Sequence, residues 1–191
     1  MVPILLSSAK IIGGMSTSTY TLFPTAVGLC GLAWGPNGIV GVQLPESNPS
    51  RTLARLLRRQ GGDASRGQAP PDIQQVIDDI VALLGGERRD LQHARLDMGQ
   101  VSELFRRIYA VARRIPPGQT LSYGEVAIRC GDTDARTVGQ AMARNPFPII
   151  VPCHRVVAAN GKDGGFSAHG GVATKLRLLA LEGAGTLSLP W

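Results

Sequence analysis

Residues 122–146 leave room for only two short helices joined by a tight turn. Ser122, with Glu125 three positions later, fits a capping box that opens the first helix. Residues 131–133 form the glycine-bearing connection, and Asn145-Pro146 ends the second helix, because a residue before proline disfavours helical backbone. These two helices and their turn predict a helix-turn-helix. This arrangement is common and by itself does not identify a ligand. The two helices are predicted over residues 123–129 and 135–143.

The apolar, strand-like run Ile149–Val157 follows and holds Cys153 between a proline and a histidine. Only the thiolate is a nucleophile, and a free cysteine has a pKa of about 8.5, so a nearby base or positive charge must lower it. His154 and Arg155 are placed to contribute. The alternative is a buried strand end at which the cysteine acts as a small hydrophobic residue.

The first hundred residues predict an α+β module without a chemical motif. Asn37-Gly38 is the tight turn of a hairpin. Residues 97–101 are the expected boundary, after which Ser102 caps a helix to Ile115. The predicted elements before the boundary are a strand at 19–23, hairpin strands at 27–34 and 39–44, a basic helix at 51–59, a flexible loop at 61–71, an amphipathic helix at 72–84 and a strand at 89–96.

The positive charge is concentrated in the second half of the chain. The net charge is +6; residues 1–100 carry 9 Lys/Arg against 8 Asp/Glu, and residues 101–191 carry 11 against 6. This bias predicts an anionic partner such as DNA. The alternative is that the positive charge serves only to keep the protein soluble. No apolar run reaches the roughly 20 residues of a membrane span. The 3 cysteines show no zinc-ligand spacing, so no metal and a reducing cytoplasm are expected.

The string Pro152-Cys153-His154-Arg155-Val156 resembles the active-site signature of the O6-alkylguanine-DNA alkyltransferases, which repair guanine by taking its alkyl group onto their own cysteine. Three flanking segments match that family as well. The resemblance is strong from Leu121 to Gly183 and only general before Ser102. The matching flanks are residues 143–150, Gly165-Phe166-Ser167 and Leu181-Glu182-Gly183.

The resemblance implies a fold, a reaction and a partner. The fold is an α+β N-terminal domain, with a small antiparallel sheet and helices, then a mostly α C-terminal domain with a helix-turn-helix of winged-helix type. The reaction is irreversible, stoichiometric transfer of a methyl or other alkyl group from O6-alkylguanine in DNA, with O4-alkylthymine left open, after base flipping from the minor groove. No cofactor is implied, and the protein is expected to be a cytoplasmic monomer (nucleoid-associated if bacterial) that binds double-stranded DNA and no membrane. The expected segments are a tail at 1–18, domains at 19–97 and 102–185, and a tail at 186–191.

The resemblance also assigns roles to individual residues. Cys153 is the nucleophile, His154 takes its proton through a bridging water, and Glu182 orients the histidine. Tyr123 donates toward the leaving guanine, and Asn145 joins the recognition helix to the cysteine. The implied DNA-binding residues are Arg136, which replaces the flipped base in the stack, Thr137, Gln140 and Arg144. The implied substrate pocket is formed by Tyr123, Pro148, Val156, Gly164, Phe166 and Ser167.

Two other functions compete with alkyl transfer. One is a lesion-binding or regulatory helix-turn-helix protein without transfer, which the presence of Cys153 in its full context disfavours. The other is a cysteine hydrolase using Cys153 and His154, which leaves Arg136 and the basic helix pair without a role.

Overall fold

The computed structural model describes residues 18–59, 64–159 and 165–184. The predicted C-terminal tail, and the predicted N-terminal tail apart from its last residue, lie outside these ranges, so neither prediction is tested.

A four-stranded sheet forms the N-terminal half, in the order β3-β2-β1-β4. The predicted hairpin is confirmed: Gly38 adopts a φ of +122°, and a Cβ there would lie 2.5 Å from the Arg95 carbonyl oxygen. Only glycine fits this turn without strain. The strands are β1 (Ser18–Thr25), β2 (Gly28–Gly35), β3 (Gly38–Gln43) and β4 (Ala64–Arg66).

Two sequence predictions for this half are wrong. The sheet is mixed rather than antiparallel, because β4 pairs parallel with β1 inside the segment predicted to be a flexible loop. Residues 89–96 form no strand; only Leu96 makes an isolated bridge, to Ile39. Arg113 donates to the carbonyls of residues 91, 92 and 94, which satisfies this segment's backbone without a strand partner.

Two helices cover the sheet, α1 (Pro49–Arg59) and α2 (Pro71–Leu84). The apolar face of α2 is buried, as its helical periodicity predicts, and packs on β1. α1 has few apolar residues; it inserts Leu56 beneath β2 and β3 and leaves several arginines at the surface. α1 therefore presents positive charge on the side of the sheet that faces the second half of the chain.

The C-terminal half is mainly helical. Ser122 and Glu125 form the predicted capping box, and the predicted helix pair is confirmed. Tyr109 is buried and donates to the Ala141 carbonyl at 2.9 Å, which joins α3 to α5. The helices are α3 (Glu103–Arg113), α4 (Tyr123–Cys130), α5 (Ala135–Ala143) and α6 (Val172–Leu181).

The strand predicted through the cysteine is wrong. Residues 153–155 form a 3₁₀ turn, and only Val156-Val157 is a strand, β6, paired parallel with β5 (Leu121–Ser122). The apolar pattern predicts a strand here because buried apolar residues dominate a buried strand and a buried turn alike. The winged-helix character of this half stays a prediction.

Hydrogen bonds and packing join the two halves. Val42 of β3 donates to the Pro146 carbonyl at 2.9 Å, and buried apolar residues form one continuous cluster from Phe23 to Leu178. The division into domains at residues 97–102 stays a prediction. Among the described residues, no helix is long and apolar enough to cross a membrane.

Candidate active site

A strained, clamped turn places Cys153. Ile149 has a φ of +76°, which non-glycine residues rarely adopt. The Asn145 side chain spans this turn: its amide donates to the Val151 carbonyl at 2.8 Å, and its oxygen accepts from the Phe147 N–H at 2.9 Å. Such strain persists where surrounding contacts over-determine the backbone. Asn145 is therefore a clamp between the end of α5 and the cysteine turn, as the sequence resemblance implied.

Three charged or polar side chains are buried behind the cysteine. His154 Nε2 lies 2.9 Å from Glu182 Oε1, and the Arg155 guanidinium donates to both Glu182 oxygens at 2.8 and 2.7 Å. Arg155 also donates to the Ile115 carbonyl at 2.6 Å. The Gly118 N–H adds a longer bond to Glu182, at 3.4 Å. Glu182, at the end of α6, is thus held from several sides.

This network fixes the protonation of His154. Burial alone would raise the pKa of Glu182, but the hydrogen bonds and charges of His154 and Arg155 outweigh it and lower the pKa to about 2. An ionised carboxylate only accepts hydrogen bonds, so Nε2 of His154 must carry the proton. Burial lowers the pKa of His154, against the attraction of Glu182, so its ring is neutral. Nδ1 then holds a lone pair and has no hydrogen-bond partner in the described part of the chain.

The thiol is protonated in the resting protein. Cys153 is 6% exposed, and burial raises its pKa; the Asn145 amide, the charge of Lys175 and nearby N–H groups oppose this only in part. The expectation that Arg155 would activate the thiol is wrong, because its guanidinium faces Glu182.

Lys175 is a site residue that sequence reasoning missed. Its side chain is buried, Nζ donates to the Val156 carbonyl at 2.7 Å and it lies 5.9 Å from the centroid of the Tyr123 ring. Its charge lowers the pKa of Cys153. A signal was available: Lys175 shares a helix face with Leu178 and Leu179, and a lysine on an apolar face is unusual.

An open cavity of about 650 Å³ lies between α5 and the segment that carries Phe166 and Ser167. Tyr123, Arg136, Phe166 and Ser167 line it, so four predicted residues meet there. Burial raises the pKa of the Tyr123 hydroxyl, and Cys153 raises it further whenever its thiol is ionised, so the hydroxyl remains a donor.

Cys153 itself lines a second, much smaller cavity. Cys153 and Pro148 line it together with Phe166 and Ser167. The backbone carbonyl of Val156, a predicted pocket residue, already accepts from Lys175, although a carbonyl has a second lone pair. Gly164, the remaining predicted pocket residue, lies outside the described residues.

The predicted DNA-binding residues lie on or directly after α5. Arg136, Gln140 and Arg144 are exposed, whereas Thr137 is half-buried and donates its N–H to the capping Asp134. Arg136 alone among them lines the larger cavity. Three of the four predicted DNA-binding residues are therefore exposed, and the binding roles of all four stay predictions.

Fold and site together define a class of protein: one that combines a helix-turn-helix with a buried Cys-His-Glu constellation beside an open cavity. Residues 103–184 match the family model of the DNA-binding domain of 6-O-methylguanine DNA methyltransferase. A methylated-DNA–protein-cysteine methyltransferase of Methanothermobacter thermautotrophicus is 37% identical over 153 residues, which cover 80% of this chain and 78% of that protein. The chain therefore belongs to the methylated-DNA–protein-cysteine methyltransferase family.

Two further relatives bear on function. A DNA base-flipping protein of Thermus thermophilus is 34% identical over 161 residues, which cover 84% of this chain and 97% of the relative. The crystal structure of Mycobacterium tuberculosis OGT in complex with DNA matches with a TM-score of 0.67 and 32% identity, covering 86% of this chain and 92% of that one.

Proposed function

We propose that this protein repairs DNA by transferring an alkyl group from O6-alkylguanine to Cys153, once per molecule. The observation that carries the proposal is the relay behind the sulfur: an ionised Glu182 holds His154 with its basic Nδ1 unbonded within the described chain. A base held by an orienting group is the arrangement that activates a nucleophile. Double-stranded DNA is the partner, and a cytoplasmic location would keep the thiol reduced.

Nδ1 of His154 takes the Cys153 proton through a water, and Glu182 stabilises the imidazolium that forms. The thiolate attacks the alkyl carbon, a carbon–sulfur bond forms, and the carbon–O6 bond breaks with its electron pair going to guanine. Tyr123 donates a hydrogen bond or proton to the leaving base. Because burial raises the pKa of Cys153, the thiol is protonated before transfer, and its proton has to be removed for the attack.

The target atom cannot be reached inside a duplex, so the guanine must leave the stack. The cavity beside Arg136 is large enough for a base, and α5 carries small residues at 135, 139 and 143 along this cavity, which permit close approach to a DNA backbone. Ala141, the remaining small residue of α5, is buried. We assign Arg136 to the gap that the flipped base leaves. Thr137, Gln140 and Arg144 would contact the DNA along the same helix.

A second candidate function is base flipping without transfer, the activity in the name of the Thermus thermophilus relative. Cys153 and its relay favour transfer, because pure binding needs no activated thiol. We also propose that the C-terminal half has a winged-helix form and that the chain is divided into two domains.

The deciding experiment incubates the protein with duplex DNA containing O6-methylguanine and measures the intact mass. Transfer predicts a gain of one methyl in place of one hydrogen, mapped to Cys153, and a product yield that stops at the amount of protein. A lesion binder would retain its mass. A hydrolase would turn over and return unmodified.

A further inference from the structure

Arg55 of α1 reaches across to the opposite half of the chain. Its Nη1 lies 2.6 Å from Glu46 Oε1, and its Nη2 donates to the Ser167 carbonyl at 2.6 Å. The two bonds use both arms of one planar guanidinium, a geometry that lysine cannot copy. Arg55 therefore links the N-terminal half to the segment that carries Phe166 and Ser167.

Glu46 is held firmly on its own side. Its Oε1 also accepts from Gln43 Nε2 at 3.1 Å, and its N–H donates to Thr52 Oγ1 at 3.0 Å. The Glu46 side chain is 12% exposed and that of Arg55 25%, so the pair is shielded from water in part. Glu46 therefore holds Arg55 in a fixed position. A fully exposed ion pair, by contrast, would contribute little to stability.

The linked segment forms one wall of the small cavity at the sulfur. Phe166, Ser167 and Ala168 line it on one side. On another side it is closed by residues of the N-terminal half, Gln43, Leu44, Arg55 and Arg59. A group transferred to Cys153 has to share this space, so the position of the wall limits the group's size.

We propose that Arg55 is a positioning residue that sets which alkyl groups are transferred, by holding the Phe166–Ala168 wall close to Cys153. The N-terminal half thereby contributes to substrate selection. This inference rests on the proposed alkyl transfer. When Arg55 holds the Phe166–Ala168 wall close, the wall confines a methyl group against the sulfur and excludes larger groups. Without Arg55 the wall moves away, so methyl groups are held less well and larger groups are admitted.

The test compares two substrates in one duplex sequence, O6-methylguanine and O6-benzylguanine, under single-turnover conditions. Arg55→Ala is expected to slow methyl transfer roughly 10-fold, which corresponds to one charge-assisted hydrogen bond. Benzyl transfer should be slowed less or accelerated, so the benzyl-to-methyl rate ratio rises. Arg55→Lys should restore part of the selectivity. Because both substrates share one DNA sequence, a change in DNA binding cancels from the ratio.

Arg58→Ala is the matched control. It removes the same charge from the same helix at an exposed position outside both cavities. Its rate ratio should equal that of the wild type. Glu46→Gln weakens the other end of the Arg55 link, because it removes the charge and keeps one acceptor oxygen. It should raise the ratio to a smaller extent, which preserves the test if Arg55→Ala folds poorly.

A second readout needs no DNA. Iodoacetamide should label Cys153 faster in Arg55→Ala than in the wild type, as measured by peptide mass, because the wall no longer covers the sulfur. An unchanged ratio with unchanged labelling would overturn the proposal. That result leaves alkyl transfer intact, since wild-type methylation of Cys153 tests it separately.

Discussion

Glu182→Gln tests the buried network most directly. The wild-type carboxylate accepts from His154, from Arg155 twice and from Gly118. Lowering its pKa from 4.5 to about 2 corresponds to about 3 kcal/mol of stabilisation at neutral pH, since each pKa unit is about 1.4 kcal/mol. The glutamine also leaves Arg155 buried without its counter-charge, and such losses typically cost about 3–5 kcal/mol.

We therefore expect Glu182→Gln to lose about 3–5 kcal/mol of unfolding free energy and to melt roughly 10 °C lower. Thermal and urea unfolding followed by circular dichroism measure both quantities. Transfer to Cys153 should slow by about 10-fold or more at a temperature where both proteins are folded, because one charged hydrogen bond to His154 is lost. Glu87→Gln, at an exposed ion pair with Arg89, should change stability by less than about 1 kcal/mol.

The pH dependence sharpens this test. Because the folded pKa of Glu182 is below its ordinary value of 4.5, its contribution is present above pH 4.5 and is lost as the pH falls toward 2. His154 acts in the same direction: its folded pKa is lowered from 6.5, so the unfolded chain gains its proton first on acidification. In Glu182→Gln, the loss of unfolding free energy that Glu182 causes between pH 4.5 and 2 should be absent. A mutant with wild-type stability and an unchanged acid profile would refute the reasoning.

The remaining predictions concern single residues. Cys153→Ala should abolish transfer and leave duplex affinity nearly unchanged, since the thiol contacts no phosphate; residual methylated protein by mass would contradict the assignment. Arg136→Ala should slow repair of duplex DNA far more than reaction with free O6-benzylguanine, because only the duplex requires flipping, which costs a few kcal/mol; equal losses would make Arg136 structural. Lys175→Met should raise the pKa of Cys153, seen as slower thiol labelling at fixed pH, and should lower the unfolding free energy by about 1–3 kcal/mol, because the buried Val156 carbonyl loses its donor; unchanged labelling would remove Lys175 from the site.

The sequence by itself determined the local elements and the candidate chemistry. The capping box at Ser122 and the Asn37-Gly38 turn depend on residues a few positions apart, so their structures followed from the pattern. The resemblance of the segments around Cys153 and Glu182 to one family predicted a nucleophile, its histidine and an orienting carboxylate, and these roles stay predictions. The amphipathic helix that begins at Pro71 could also be predicted from the sequence, because its apolar residues repeat with the helical period.

Only the tertiary structure decided which charges meet. Arg155 lies next to the cysteine in sequence, yet its guanidinium pairs with Glu182, 27 residues away. Lys175 contacts the site from α6, and Arg55 from α1, at sequence separations that no local pattern encodes. The short strand β4 likewise exists only because β1 offers it an edge. Local propensity acts over a few residues, whereas a buried ion pair depends on how distant elements pack, since burial makes its partners necessary.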